Sequence, residues 1–234
     1  MNQLVLKEPP ASENGPFRVT GSRAEHIRTV LRAKPGDSLK VGLLNGNRGS
    51  AVIRSVEKNE VLLNSFSFHL PPLQQLPITL AVALPRPQSL KKVLHFAASA
   101  GIPELILFHS ARVEKSYWNS TVLRPGSLEA ELLEGLEQGC GTTMPKLLFF
   151  RSFRDFLDTA NQRNVTKIVA HPVPDHPFTK KPEEREILLA VGPEGGFLPS
   201  EIAAFENSEF RKFSCGSHIL RVEFACAFLC GRLL

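Results

Sequence analysis

From Ile78 onward, apolar runs of strand length alternate with segments whose apolar residues recur at helical spacing. This rhythm restricts the fold more than any other feature, because a strand followed by a helix and another strand builds a mainly parallel sheet. The runs are Ile78–Ala83, Glu104–Phe108, Lys146–Phe150, Thr166–Ala170 and Glu186–Val191. Between them Leu90, Val93, Leu94 and Ala97 share one helical face, and Gly101 is a stop. Leu128, Leu132, Leu133 and Leu136 share another, and Phe153, Phe156, Leu157 and Ala160 a third. Ser89 and Ser127 stand where N-caps belong. An α/β domain is the reading.

Upstream the pattern is different. Leu39, Val41 and Leu43 alternate, Asn45-Gly46 is a hairpin signal, and Ala51 and Ile53 alternate on the return. Lys58-Asn59 makes a further turn before the run from Val61 to Phe68. One helix is expected early, with Ser22 to Glu25 as a capping box and Ala24, Ile27 and Leu31 on its apolar face. Arg28 and Arg32 then fall one turn apart on another face. These short strands and tight turns predict a small barrel or sandwich. The stretch Leu70-Pro71-Pro72-Leu73-Gln74-Gln75-Leu76-Pro77 cannot sit in a central strand, so it divides residues 1–75 from residues 76–234.

Charge adds to this division. Residues 1–75 carry 10 Lys/Arg against 6 Asp/Glu, so most of the net charge of +5 lies there. That is where contact with a phosphate backbone is expected. No apolar stretch is long enough to span a bilayer, and the start of the chain lacks the pattern of a signal peptide. Four cysteines (Cys140, Cys215, Cys226 and Cys230) make no disulfide framework and fit a reduced, cytoplasmic protein. Cys226 and Cys230, one turn apart in an apolar helix, read as core.

The most informative chemistry lies near the end. The Glu186–Val191 run feeds Gly192-Pro193-Glu194-Gly195-Gly196, and a second turn, Cys215-Gly216, precedes Ile219-Leu220-Arg221 and Glu223. The first loop lacks the G-x-G-x-x-G spacing, and no Gly-Lys-Ser/Thr follows it. It carries Glu194 where a phosphate-rich ligand would draw a cation. A cofactor of little negative charge, gripped by main-chain groups, suits it better. His171, Asp175 and His176 lack a fourth ligand, and no metal is expected.

These motifs resemble the RsmE family of bacterial methyltransferases, which methylate N3 of a uridine in 16S ribosomal RNA. The resemblance rests on Leu189 to Gly196, Ser200-Glu201-Ile202, Gly216, Ile219-Leu220-Arg221 and Glu223. It extends to Leu136-Glu137-Gln138 before Pro145, to His171-Pro172, and to His26 through Arg32 followed by Pro35-Gly36. It implies a PUA-like β-barrel over residues 1–75 that recruits RNA. Residues 76–234 would form a SPOUT-type α/β domain with a trefoil knot, which binds S-adenosylmethionine and forms a homodimer.

Cofactor contacts are then expected at His171, at Val191, Gly192, Pro193, Glu194, Gly195 and Gly196, and at Cys215, Gly216, Ile219 and Leu220. Uracil N3–H is a weak acid and a poor nucleophile while protonated. Arg221 can hold the anion that forms, and Glu223 can accept the proton or orient the base. Without such a role the two would be a structural ion pair near a helix start. RNA contacts are expected at Arg23, Arg28, Arg32, Arg86, Lys91 and Arg112. Lys92 and the segment Lys115-Ser116-Tyr117-Trp118 offer further cations and aromatics.

The chain departs from the family at His218, at Phe224 and at Cys140-Gly141-Thr142, which bears on affinity for the substrate. A non-catalytic RNA-binding or ribosome-assembly factor on the same scaffold is the alternative. A third reading is an enzyme that modifies another nucleotide or a ribose oxygen.

Overall fold

The computed structural model describes residues 1–172, 186–214 and 216–234. They form two compact units. The first joins Met1–Gln74 to Leu133–Met144, and the second joins Gln75–Leu132 to Pro145–Leu234.

The first unit holds β1 (Leu4–Leu6), β2 (Phe17–Thr20), α1 (Gly21–Thr29), β3 (Ser38–Leu43), β4 (Arg48–Val56) and β5 (Glu60–Leu70). The strands make one sheet in the order β1-β3-β4-β5-β2, parallel only between β1 and β3. The alternation read from the sequence is the alternation of burial. Val41, Ile53, Val61 and Leu63 are inside with Leu4, Leu6, Val19, Ile27 and Phe66, and their neighbours along β2, β4 and β5 are less buried, whereas all three residues of β1 are buried.

Helix α1 departs from its sequence expectation. It starts at Gly21 behind Thr20, no side chain caps it, and it ends at Thr29. Leu31 therefore lies beyond the helix and is exposed. Arg32 takes a left-handed φ of 52°, so it does not share a helical face with Arg28. Val30 and Leu31 both return their N–H to the His26 carbonyl, which closes the helix before the pattern of apolar residues runs out.

The segment Leu133–Met144 belongs to this unit through Glu137. One Glu137 carboxylate oxygen accepts from Val5 N–H at 3.2 Å and pairs with the Arg23 guanidinium at 3.1 Å. Its carbonyl accepts from Asn2 and Gln3. Burial pushes the Glu137 carboxyl up, while Arg23 and the Val5 N–H act against that rise. Thr142 Oγ1 donates to the Gly46 carbonyl at 2.7 Å, and Met144 N–H donates to Asn45 Oδ1 at 2.9 Å.

The second unit holds β6 (Ile78–Ala83), α2 (Pro87–Ala100), β7 (Glu104–Phe108) and two 3₁₀ turns at Lys115–Asn119 and Thr121–Leu123. Helix α3 (Pro125–Gly139) begins here and ends in the first unit. Then come β8 (Lys146–Phe150), α4 (Phe153–Asn161), β9 (Thr166–Ala170), β10 (Ile187–Val191), α5 (Pro199–Asn207), β11 (Arg211–Phe213) and α6 (Val222–Leu233). All six strands are parallel, in the order β11-β9-β10-β6-β7-β8. Nearly every residue of β6 and all of β10 are buried, as expected of strands covered on both faces.

Phe108, Phe153, Phe156, Phe197, Phe205 and Phe210 form one ring cluster, with Phe108 and Phe156 stacked at 4.1 Å. Helices α2 and α3 start at Pro87 and Pro125, not at the serines expected to cap them. Proline needs no N–H partner and is already bent for the first helical position. Ser89 is instead buried in the first turn of α2. Cys226 and Cys230 are buried as expected, and burial pushes both thiols up, Cys230 to about 12. Among the described residues no helix is long and apolar enough to cross a membrane.

Candidate active site

An all-parallel sheet sends the carboxyl end of every strand to the same edge, and the loops that leave that edge form its ligand-binding rim. Here they are Leu84–Arg86 after β6, His109–Arg112 after β7, His171–Pro172 after β9, Gly192–Leu198 after β10, and Ser214 with Gly216–Arg221 after β11. Register places them side by side. Val191 lies opposite Val82, and Phe213 opposite Ala170. His171 N–H donates to the Phe213 carbonyl at 3.1 Å. The sequence-predicted loops around 171, 192–196 and 216–220 therefore leave one edge.

The glycine loop is tightly built. Gly196 N–H donates to the Pro193 carbonyl at 2.8 Å, and Gly196 has φ 67°, a left-handed value that favours glycine. A Cβ on Gly192 would lie 3.3 Å from the Phe197 ring and 3.4 Å from Gly196 Cα. Phe197 in turn packs on Phe108 and Phe205, so the aromatic core sets the inner shape of the loop. Outside, Glu194 accepts from the Arg86 N–H at 3.2 Å and lies 3.7 Å from its guanidinium. The Gly195 carbonyl accepts from the Arg112 guanidinium.

Glu201 is a further constraint that the sequence reading quoted as part of a motif without giving it a role. Its carboxylate is buried and bridges two backbone donors, Leu198 N–H at 2.8 Å and Ala111 N–H at 2.7 Å. It thereby joins the loop after β7 to the start of α5. A Glu three residues after a helix start was the available signal, but its second partner is 90 residues away. Glu201→Ala is expected to cost about 1.5–3 kcal/mol of stability, the worth of charged hydrogen bonds. Urea denaturation checks this, and Glu201→Gln, which keeps one acceptor, should lose less.

Arg221 is the N-cap residue of α6, exposed, and no partner among the described residues holds it. It therefore stands at the positive end of the helix, with its guanidinium unpaired among the described residues. Glu223 is different. It is only 4% exposed, and one oxygen accepts from Lys92 Nζ at 3.1 Å while the other has no partner in normal hydrogen-bond geometry among the described residues. Burial raises its pKa, but its own backbone N–H, the Lys92 ammonium and the Ser89 hydroxyl outweigh burial and hold the carboxyl below its usual value. So Arg221 and Glu223 do not form an ion pair with each other.

Ile219 is 93% exposed, and Leu220 and Phe224 are also exposed. Gly216 has φ 123° and its carbonyl accepts from Ser214 Oγ at 3.4 Å. His171 is half-buried, and burial, then the Lys212 ammonium, hold its imidazole below the usual value against the pull of Glu206. Cys215, Asp175 and His176 lie outside the described residues.

The cations expected to meet RNA are placed unevenly. Arg28 and Arg32 are exposed. Arg23 is paired with Glu137, Lys91 with Glu131 at 2.5 Å, Arg86 with Glu194, and Arg112 with Gly195. Trp118 is not a free stacking surface. It is buried, donates Nε1–H to His109 Nδ1 at 3.1 Å, and lies under the Arg151 guanidinium at 5.1 Å.

Comparison with known proteins matches two family models. Residues 72–234 match the model of the RNA methyltransferase domain, and residues 19–64 match that of the RNA methyltransferase PUA domain. Ribosomal RNA small subunit methyltransferase E of Treponema pallidum (strain Nichols) is 28% identical over 222 residues, covering 91% of this chain and 82% of that protein. Ribosomal RNA small subunit methyltransferase E 1 of Borreliella burgdorferi is 27% identical, covering 87% and 86%. The crystal structure of a ribosomal RNA small subunit methyltransferase E from Neisseria gonorrhoeae bound to S-adenosyl methionine shares the fold. Its TM-score is 0.76 at 20% identity, over 99% of this chain and 95% of that one. The first family model thus spans everything from the proline-rich break to the helix headed by Arg221, and the chain belongs to the RNA methyltransferase family.

Proposed function

We propose that this chain transfers the methyl group of S-adenosylmethionine to N3 of a uridine in 16S ribosomal RNA of the small subunit. The observation that carries this reading is the exposed Arg221 guanidinium at the head of α6, unpaired among the described residues, on the sheet edge that also bears the glycine loop. The names of the Treponema and Borreliella relatives support the RNA target, and the cofactor in the Neisseria structure supports the methyl donor.

The residues present fit such a cofactor. Gly195 and Gly196 carry no side chain, Glu194 disfavours a polyanion, and exposed Ile219 and Leu220 supply apolar surface for a flat base. When bound, S-adenosylmethionine would supply an electrophilic methyl carbon, with its thioether as the leaving group. The protein must make N3 nucleophilic. As the N3 proton passes to solvent water, charge spreads to O2 and O4, and Arg221 with the N-terminal end of α6 stabilises it. Glu223, buried and ionised, is a weak base. Its role is to anchor the head of α6 to Lys92 of α2, which makes it a positioning residue for Arg221.

The protein acts as a homodimer in the cytoplasm in this reading. Phe224 and Phe228, one turn apart on α6, are both exposed with Ile219 and Leu220, a surface suited to a second copy. The trefoil knot is supported by the path of the chain. Strand β11 pairs with β9 at one edge, whereas the following helix α6 packs on α2 and β10.

The test is methyl transfer from labelled S-adenosylmethionine into small subunits that lack native modification, with the product nucleoside identified by mass spectrometry. 3-Methyluridine is expected. A methylated ribose or another base would replace the target, and cofactor binding without transfer would make the chain an RNA-binding or assembly factor.

A further inference from the structure

We infer that Arg112, assisted by Arg86, is a positioning residue for the Gly192–Gly196 loop and not a contact to RNA phosphate. The inference deepens the reading above and rests on the methyl donor being that loop's ligand.

The peptide unit between Gly195 and Gly196 is held at both ends. Its N–H goes to the Pro193 carbonyl, and its C=O goes to the Arg112 guanidinium. Flanked by two glycines, one of them left-handed, this is the peptide in the loop most able to rotate. Rotation would exchange a donor for an acceptor on the surface that a cofactor meets. Arg112 opposes it with a charge-assisted bond that a freely rotated carbonyl would lose. The aliphatic stem of Arg112 covers the same residue, since a Cβ on Gly195 would lie 3.1 Å from Arg112 Cδ and 3.5 Å from its Cβ. Glycine and arginine therefore fit as a pair.

The neighbouring residue is held in parallel. Glu194 takes the Arg86 N–H and lies beside its guanidinium. The backbone of Arg112 cannot drift away from the loop either, because Glu201 ties the adjacent Ala111 N–H to Leu198. An arginine that served RNA phosphate would have to leave a bond that shapes the cofactor site.

The two roles separate experimentally in the full chain. Arg112→Ala, Arg112→Lys and Arg86→Ala are compared with wild type by three measurements. These are amide hydrogen exchange over residues 192–198 without ligand, calorimetric affinity for S-adenosylmethionine without RNA, and KM for small subunits at saturating methyl donor. Circular dichroism verifies that each variant is folded.

For Arg112→Ala, exchange in the loop should rise and the Kd for S-adenosylmethionine should weaken, each by about tenfold, the loss of one charge-assisted bond. The KM for subunits should stay within about twofold. Arg112→Lys, which still reaches the carbonyl with one donor, should recover part of the affinity, and Arg86→Ala should show a smaller loss than Arg112→Ala. Unchanged exchange and donor affinity with a raised subunit KM would overturn the inference and return Arg112 to RNA. If wild type itself binds no S-adenosylmethionine, the proposed function falls. Loop exchange then decides the positioning role alone: faster exchange in Arg112→Ala upholds it, and unchanged exchange removes it.

Discussion

Replacing Arg221 with alanine is expected to lower kcat/KM for methyl transfer by about 10²–10³-fold while the affinity for S-adenosylmethionine stays within about twofold. The magnitude is that of removing one pre-oriented donor from a developing oxyanion. The asymmetry follows from position. Arg221 heads α6, whereas the main-chain groups expected to grip the methyl donor belong to the glycine loop after β10 and the turn after β11. Its free guanidinium has nothing else to stabilise among the described residues, so truncation should leave folding nearly unchanged. Arg221→Lys keeps the charge without the planar fork and should recover only part of the rate. Single-turnover transfer and calorimetric binding together measure the split. Equal losses in both would place Arg221 in the cofactor site and leave the anion without its proposed stabiliser.

The largest effect on stability is expected from Gly49→Ala in the first unit. Gly49 lies in β4 beside a register shift in its pairing with β5. A Cβ there would fall inside the Ser67 carbonyl, with its carbon at 2.7 Å and Phe68 Cα at 3.0 Å. Every one of these obstacles is backbone, so no rotamer change relieves them. The two strands must part, and ladder hydrogen bonds are lost with the packing of Phe66 and Ile53 behind them. A loss of about 3 kcal/mol or more is expected, at or above the upper range for overpacking. Thermal unfolding followed alongside binding of S-adenosylmethionine tells loss of this unit from loss of the whole chain. A melting temperature within a degree or two of wild type would show that the strands separate at little cost.

Much of the second unit was legible because its central strands, such as β6 and β10, are buried on both faces. A run such as Ile78–Ala83 or Thr166–Ala170 is buried along nearly its whole length, and its bounds in the sequence are those in the structure. The alternating strands of the first unit were legible for the related reason that one face meets a core and the other does not. Helix starts were less so. Serine is a good cap in general, but the prolines at 87 and 125 decided where α2 and α3 begin. In α1 the apolar spacing continued past the point where the backbone turned away.

The composition of the site divides in the same manner. Local sequence determined the glycine loop, the second turn and Arg221, since strand ends, left-handed turns and helix starts depend on residues only a few positions apart. Only the tertiary structure decided that Glu201 answers Ala111, that Arg23 answers Glu137, that Lys92 answers Glu223 and that Arg112 answers Gly195. Glu201 with Ala111 and Arg112 with Gly195 meet across the loops of one parallel sheet, Lys92 with Glu223 where α6 packs on α2, and Arg23 with Glu137 inside the first unit, and a charge in a sequence does not state which partner the fold will set beside it.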